Sequence, residues 1–110
     1  MGQNRLTFGD VILVEVPFAD TFEIKLRPAL VLFEEFNNVI VAGITSNLKM
    51  QGILLPKSEG LIVDSILKLN YIFTISKKRI RKNLTHLSEE KKKEVCKKLL
   101  EKFDICIKII

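Results

Sequence analysis

A mainly β domain closed by a single C-terminal helix, a small barrel of the α+β class, is the fold this sequence predicts. Three observations lead there. Short apolar, β-branched runs recur through the first 75 positions, each bounded by Gly, Pro, Asn or Asp. One segment with helical spacing follows Ser88, and no repeat or low-complexity linker interrupts the order. With 110 residues, 47% of them apolar, the chain reads as one domain over residues 1–110 that can bury a single core. It has no Trp and one Tyr, so Ile, Leu, Val and Phe must build that core.

Taken in order, Phe8-Gly9-Asp10 is a turn, and Val11 to Val16 is a β-branched strand that Pro17 is expected to stop. Phe18 to Leu26 has no clean period and reads as a long mobile loop. Pro28 keeps Arg27 out of the helical region, so the arginine enters the next strand, Ala29 to Phe33, in extended form. That strand has no polar member and is expected to be central. Glu34 to Asn38 contains a turn, Val39 to Thr45 is a strand, and Ser46 to Gly52 is a polar loop. Ile53 to Leu55 is a short strand closed by Pro56, Lys57 to Gly60 turns the chain, and Leu61 to Ser65 reads as either loop or strand. Ile66 to Ile75 is a strand region. This makes five or six short strands.

Ser88 is placed to cap a helix, with Glu89 and Glu90 in the first turn, where the helix dipole favours negative charge. Val95, Cys96, Leu99, Leu100 and Phe103 fall on one apolar face, while Lys91, Lys92, Lys93, Lys97 and Lys98 take the other positions. Cys96 and Cys106 have no CxxC spacing and no nearby histidine, so buried reduced thiols are expected and a metal site is not.

The polar N-terminus carries no apolar stretch of signal-peptide length, and no window is apolar enough to span a membrane. A cytoplasmic protein is the expectation. The net charge of +5 is unevenly placed: residues 1–65 carry −3 and residues 66–110 carry +8. An anionic partner for the basic half, nucleic acid first, is one reading; solvated helix faces are the other. The run Lys77-Lys78-Arg79-Ile80-Arg81-Lys82 could meet phosphates or simply connect strand to helix. His86, the single histidine, is expected at the surface or near the helix cap.

Two residues have the chemistry to hold and polarise a phosphate. Arg27 stands before a proline at a strand entrance, and Thr45, followed by Ser46, stands at a strand end. If the strands are adjacent, a guanidinium and hydroxyls can clamp the phosphorane of RNA transesterification by preorganised electrostatics. No clustered carboxylates call for Mg²⁺, and the Rossmann, Walker, zinc-finger and nucleophile-elbow patterns are missing.

Four segments in order resemble the MazF/PemK (Kid) toxins of toxin–antitoxin systems. They are Gly9-Asp10-Val11-Ile12-Leu13-Val14, Lys25-Leu26-Arg27-Pro28-Ala29-Leu30-Val31-Leu32, Ala42-Gly43-Ile44-Thr45-Ser46, and Ser65 to Ile75. The resemblance covers nearly the whole chain. It implies an SH3-like small barrel of the MazF/PemK/CcdB type, usually a homodimer. It further implies a metal-independent endoribonuclease, with no cofactor, that cleaves single-stranded RNA to 2′,3′-cyclic phosphate and 5′-hydroxyl ends and is silenced by a cognate antitoxin. On the resemblance, Arg27 and Thr45 are catalytic. Ser46, Lys68, Asn70 and Lys25 contact substrate, and Phe18 to Leu26 is the loop at the groove. The PemK/Kid branch has an Arg-x-Asp where this chain has Lys68-Leu69-Asn70, and an asparagine cannot serve as general acid or base. Two alternatives therefore stay open: a catalytically weak or silent homologue, and a CcdB-like toxin that binds DNA gyrase without cleaving anything.

Overall fold

Six antiparallel strands form one sheet in the order β4-β5-β3-β2-β1-β6. The computed structural model describes residues 5–18 and 23–110, with the side chains of Pro17 and Phe18 left aside. The strands are β1 (Asp10–Phe18), β2 (Glu23–Glu35), β3 (Asn38–Thr45), β4 (Ile53–Leu55), β5 (Ser65–Ser76) and β6 (Ile80–His86). Helix α1 (Glu89–Lys102) and a short α2 (Asp104–Ile107) follow. The predicted fold class holds: a mostly antiparallel half-barrel with a C-terminal helix. No helix among the described residues is long and apolar enough to cross a membrane.

The alternation of the strands divides the buried residues into two clusters. Val11, Leu30, Ala42, Ile44, Leu55, Leu67, Leu87 and Val95 form the one that α1 covers, and Ile12, Val14, Ala29, Val31, Val39, Val41 and Ile75 form the other. Residues on opposite faces alternate along each strand, as the pleat requires. Each large side chain fully withdrawn from water contributes about 1.5–3 kcal/mol. Register shifts bend the sheet at Val31/Phe33 between β2 and β3 and at Ala42/Gly43 between β3 and β5. At the second of these, Ala42 pairs with Ile72 but Gly43 pairs with Lys68, so Leu69, Asn70 and Tyr71 bulge out of β5. The bulge folds the Tyr71 ring over Gly43, where a β-carbon would stand only 2.6 Å from a ring carbon.

Several expectations need correction. Pro17 does not stop β1, which continues to Phe18 with Pro17 opposite Ile24. The pairing of β1 with β6 ends at Val14, so Pro17 lies on a free edge where its missing donor is tolerated. Glu23 to Leu26 is strand rather than loop, because the β1–β2 ladder runs out to Phe18↔Glu23; residues 19–22 of the expected loop lie outside the described residues. Two strands are not short: β2 has 13 residues and β5 has 12. Of the two readings of Leu61 to Ser65, loop is right for all but Ser65.

The basic run 77–82 is a 3₁₀ turn followed by β6, and it is partly neutralised within the fold. Lys77 pairs with Glu34 at 3.0 Å, and both Arg79 and Arg81 pair with Glu15. The backbone N–H of Leu6 and the Lys77 ammonium both donate to Glu34, which holds its carboxyl below the ordinary glutamate range.

Both cysteines are exposed, contrary to expectation. The apolar stripe of α1 is wider than its contact with the sheet: Val95 is buried and Leu99 half-buried, while Cys96, Leu100 and Phe103 face outward. Cys106 lies in α2, which is exposed along its length.

Ser88 caps α1 as expected, its Oγ accepting from the Lys91 N–H at 3.2 Å. Glu59 adds a clamp the sequence did not suggest, accepting from both the N–H and the Oγ–H of Ser88 at 2.8 Å. Beside it, His86 Nδ1 meets Asp10 Oδ1 at 2.7 Å and His86 Nε2 meets Lys92 Nζ at 2.9 Å. A lysine ammonium can only donate, so Nε2 is the acceptor and Nδ1 carries the hydrogen given to Asp10. Lys92 also donates to Glu89, holding that carboxyl below its ordinary range.

Candidate active site

The β2–β3 ladder ends at Ala29↔Gly43. Two residues beyond that pair on each strand stand Arg27 and Thr45, at mirrored positions of the same register. Both follow the period of two from the pair that closes the ladder, so they extend one face of the sheet. The proline that follows Arg27 helps to open the ladder here. Pro28 still pairs with Leu13 on the β1 side but has no partner in β3, where a residue without an N–H is acceptable.

Arg27 is exposed, and its Nη1 reaches the carbonyl of Leu26 at 3.5 Å. Lys25 lies on the same face of β2, opposite Val16 as Arg27 is opposite Val14, and forms a loose ion pair with Glu23 at 3.8 Å. Thr45 is half-buried, and its Oγ1 accepts from the Asn47 N–H at 3.1 Å. That bond uses an oxygen lone pair, and the hydroxyl hydrogen can still be donated elsewhere. It also fixes the start of the loop: Asn47 Oδ1 accepts from the Lys49 N–H, and Met50 N–H reaches the Asn47 carbonyl, both at 3.1 Å. Ser46 is the exposed first residue of this loop.

Lys68 and Asn70 come from β5. Lys68 pairs with Gly43, and its ammonium donates to the Gln51 carbonyl at 3.0 Å. Asn70 is exposed in the bulge. The two residues line a cleft of about 360 Å³ that also takes in Gln51, Gly52, Lys98 and Lys102. The six residues singled out from the sequence thus fall into two groups. Lys25, Arg27, Thr45 and Ser46 gather at the open ends of β2 and β3, while Lys68 and Asn70 lie one strand over, on the wall of the cleft. Gly43, beside Lys68 and two residues before Thr45, links the groups.

Lys98 and Lys102 at the cleft do not stand out in the sequence, where Lys98 reads as one more solvated helix lysine and Lys102 has no marked setting. Their spacing of four, which stacks two positive charges on one helix face, is the signal that could have found them. Among the described residues no group of three or more His, Cys, Asp or Glu side chains is arranged to hold a metal ion.

Comparison with solved structures places this fold among known toxins. The toxin MazF-mt6 of Mycobacterium tuberculosis is 20% identical, with a TM-score of 0.67 over 84% of this chain and 96% of that one. The MazE–MazF complex of Deinococcus radiodurans contains a chain 20% identical, with a TM-score of 0.72 over 88% and 94%. A mycobacterial endoribonuclease in complex with its cognate antitoxin is 14% identical, with a TM-score of 0.67 over 89% and 91%. At such identities these likenesses speak for the fold. Residues 7–103 also match the family described as PemK-like, MazF-like toxin of type II toxin-antitoxin system. The chain therefore belongs to the PemK/MazF family of type II toxins.

Proposed function

We propose that this protein is an endoribonuclease toxin that cleaves single-stranded RNA at the ends of β2 and β3 by transesterification, without a metal. The observation that carries this reading is the mirrored placement of Arg27 and Thr45 two residues past the Ala29↔Gly43 pair. A phosphate lying across the opened ladder meets a guanidinium from one side and a hydroxyl from the other. In the reaction the ribose 2′-oxygen forms a bond to phosphorus and loses its proton. The bond from phosphorus to the 5′-oxygen breaks, and that oxygen gains a proton. The ends left behind are a 2′,3′-cyclic phosphate and a 5′-hydroxyl.

Arg27 supplies what this chemistry needs most, a fixed planar charge with paired donors for the negative charge that builds on the phosphorane oxygens. Thr45 orients the reacting oxygens, and its hydroxyl, both donor and acceptor, can relay a proton without itself titrating. Lys25 adds positive charge on the Arg27 face, and Ser46 offers a further hydroxyl at the mouth of the loop. Lys68 and Asn70 bind substrate beyond the reacting phosphate. Asn70 has no titratable group, so its part is hydrogen bonding and not acid–base catalysis.

Family membership supports a cognate antitoxin as partner. A homodimer fits the exposed apolar residues of the C-terminal segment, among them Leu100, Phe103, Ile105, Ile107 and Ile109.

The test is incubation of the purified protein with a long single-stranded RNA in excess EDTA. Discrete fragments ending in cyclic phosphate are expected. Intact RNA alongside inhibition of DNA gyrase would overturn the reading in favour of a binding toxin.

A further inference from the structure

Several basic side chains near the sheet are matched by acids: Lys77 by Glu34, Arg79 and Arg81 by Glu15, Lys91 by Glu94, and Lys92 by Glu89. The cleft beside β5 instead gathers three basic side chains that form no ion pair among the described residues. Lys68 reaches it from the strand, and Lys98 and Lys102 reach it from successive turns of α1. None of the three has a carboxylate partner among the described residues; Lys68 is held only by the Gln51 carbonyl. Two lysines four apart on a helix repel one another, and a third ammonium facing them adds to the cost. An anion entering the cleft would relieve all three at once.

We propose that Lys68, Lys98 and Lys102 form a second phosphate subsite, which holds the RNA backbone one side of the phosphate clamped by Arg27 and Thr45. The inference rests on the ribonuclease reading above and extends it to residues of α1. The route between the two places is short in the fold. The loop 46–52 starts at Thr45 and ends with Gln51 and Gly52 in the wall of the cleft. Lys68 pairs with Gly43, two residues before Thr45. The loop end is packed closely on β5, since a β-carbon at Gly52 would stand 2.3 Å from the Leu67 carbonyl oxygen.

The lining also fits a nucleic acid better than an acidic peptide. Of the apolar lining, Ile53 and Leu67 are buried in the core and only Leu69 is partly open, a small surface for a peptide's apolar anchor. The exposed amides of Gln51 and Asn70 supply donors and acceptors suited to base edges and ribose hydroxyls. Ammonium groups, as compact point charges, suit phosphates that slide and turn as a strand leaves the reaction centre.

The experiment compares the full-length protein with the double variant Lys98→Gln/Lys102→Gln and with a control, Lys93→Gln/Lys97→Gln, of equal net charge. Binding of a fluorescent 2′-O-methylated single-stranded RNA, which cannot be cleaved, is followed by anisotropy over a range of salt concentrations. The expected result is a Kd raised about 5- to 10-fold for the Lys98/Lys102 variant, with a salt slope smaller by about 0.7 for each phosphate that is no longer neutralised. The control should stay within about twofold of wild type. Equal weakening by both variants overturns the subsite, because net charge alone would explain it. Wild-type affinity and slope in the Lys98/Lys102 variant overturn the subsite while leaving the ribonuclease reading standing. If the wild type binds no RNA, both fall. A variant that keeps RNA but no longer binds a poly-glutamate peptide would assign the cleft to an acidic protein partner and overturn the proposal.

Discussion

The junction where α1 meets the sheet and the strand ends around Arg27 and Thr45 are both rich in polar groups, yet they use them in opposite ways. At the junction, Glu59 takes two hydrogen bonds from Ser88, His86 is held between Asp10 and Lys92, and Lys92 turns on to Glu89. Ser88, His86 and Lys92 each donate to an acceptor on another element, so the group acts as a fastening. At the strand ends and the neighbouring cleft, Thr45 accepts from within its own loop, Lys68 touches a backbone carbonyl, and Lys98 and Lys102 of α1 form no ion pair among the described residues. Charge matched within the fold stabilises it; charge left facing a cleft is available to a ligand. The difference separates residues whose loss should unfold the protein from residues whose loss should silence it.

The largest effect should come from the strand ends. Arg27→Ala is expected to slow single-turnover RNA cleavage by about 10²- to 10³-fold, as removal of one preorganised charge-stabilising donor does elsewhere. It should abolish growth arrest on expression, with circular dichroism and melting temperature unchanged because Arg27 is exposed. A variant as toxic as the wild type would remove Arg27 from the site.

The junction should answer in the opposite way. Ser88→Ala removes the cap of α1 and the hydroxyl bond to Glu59, and is expected to lower stability by about 1 kcal/mol. Cleavage per folded molecule well below the melting temperature should stay at the wild-type level. A loss of cleavage without a loss of stability would show that the two regions are not separable.

The smallest effect belongs to Glu34, between Leu6 and Lys77. Its carboxyl is held below the ordinary range in the folded state, so its contribution is present above that range and is lost as pH falls through the depressed value. Glu34→Gln should therefore lower the urea midpoint slightly at neutral pH and make no difference in strong acid. A gap between variant and wild type that persists in strong acid would mean that Glu34 acts through packing instead of charge.

How far the sequence revealed this molecule depended on how local each signal was. The short strand Ile53–Leu55 and the cap at Ser88 were legible because proline, apolar run and hydroxyl sit within a few positions of one another. Strand β6 was not, because exposed Arg81 and Lys82 hide the alternation of a strand in which no residue is fully buried. The extension of β2 to Glu23 was hidden for a similar reason: five exposed residues in a row look like a loop until β1 is laid beside them. Arg27 and Thr45 could be singled out individually, each by its neighbours. Their facing one another depends on a register set in the cores of two strands. Lys98 and Lys102 depended on still more, since only the packed helix brings them to β5.

Gly43 has a wider consequence. It keeps its hydrogen because the Tyr71 ring lies over it, and that ring is there because β5 bulges between Lys68 and Ile72. The end of β3, where the proposed Thr45 hydroxyl stands, thus packs against an aromatic residue on a different strand, in the bulge that also carries Asn70. On the proposed reading, a change at Tyr71 would mistune the reaction without touching Arg27 or Thr45. Variation around Tyr71 is then where a toxin of this build could be weakened by degrees, in contrast to the outright loss expected when the arginine is removed.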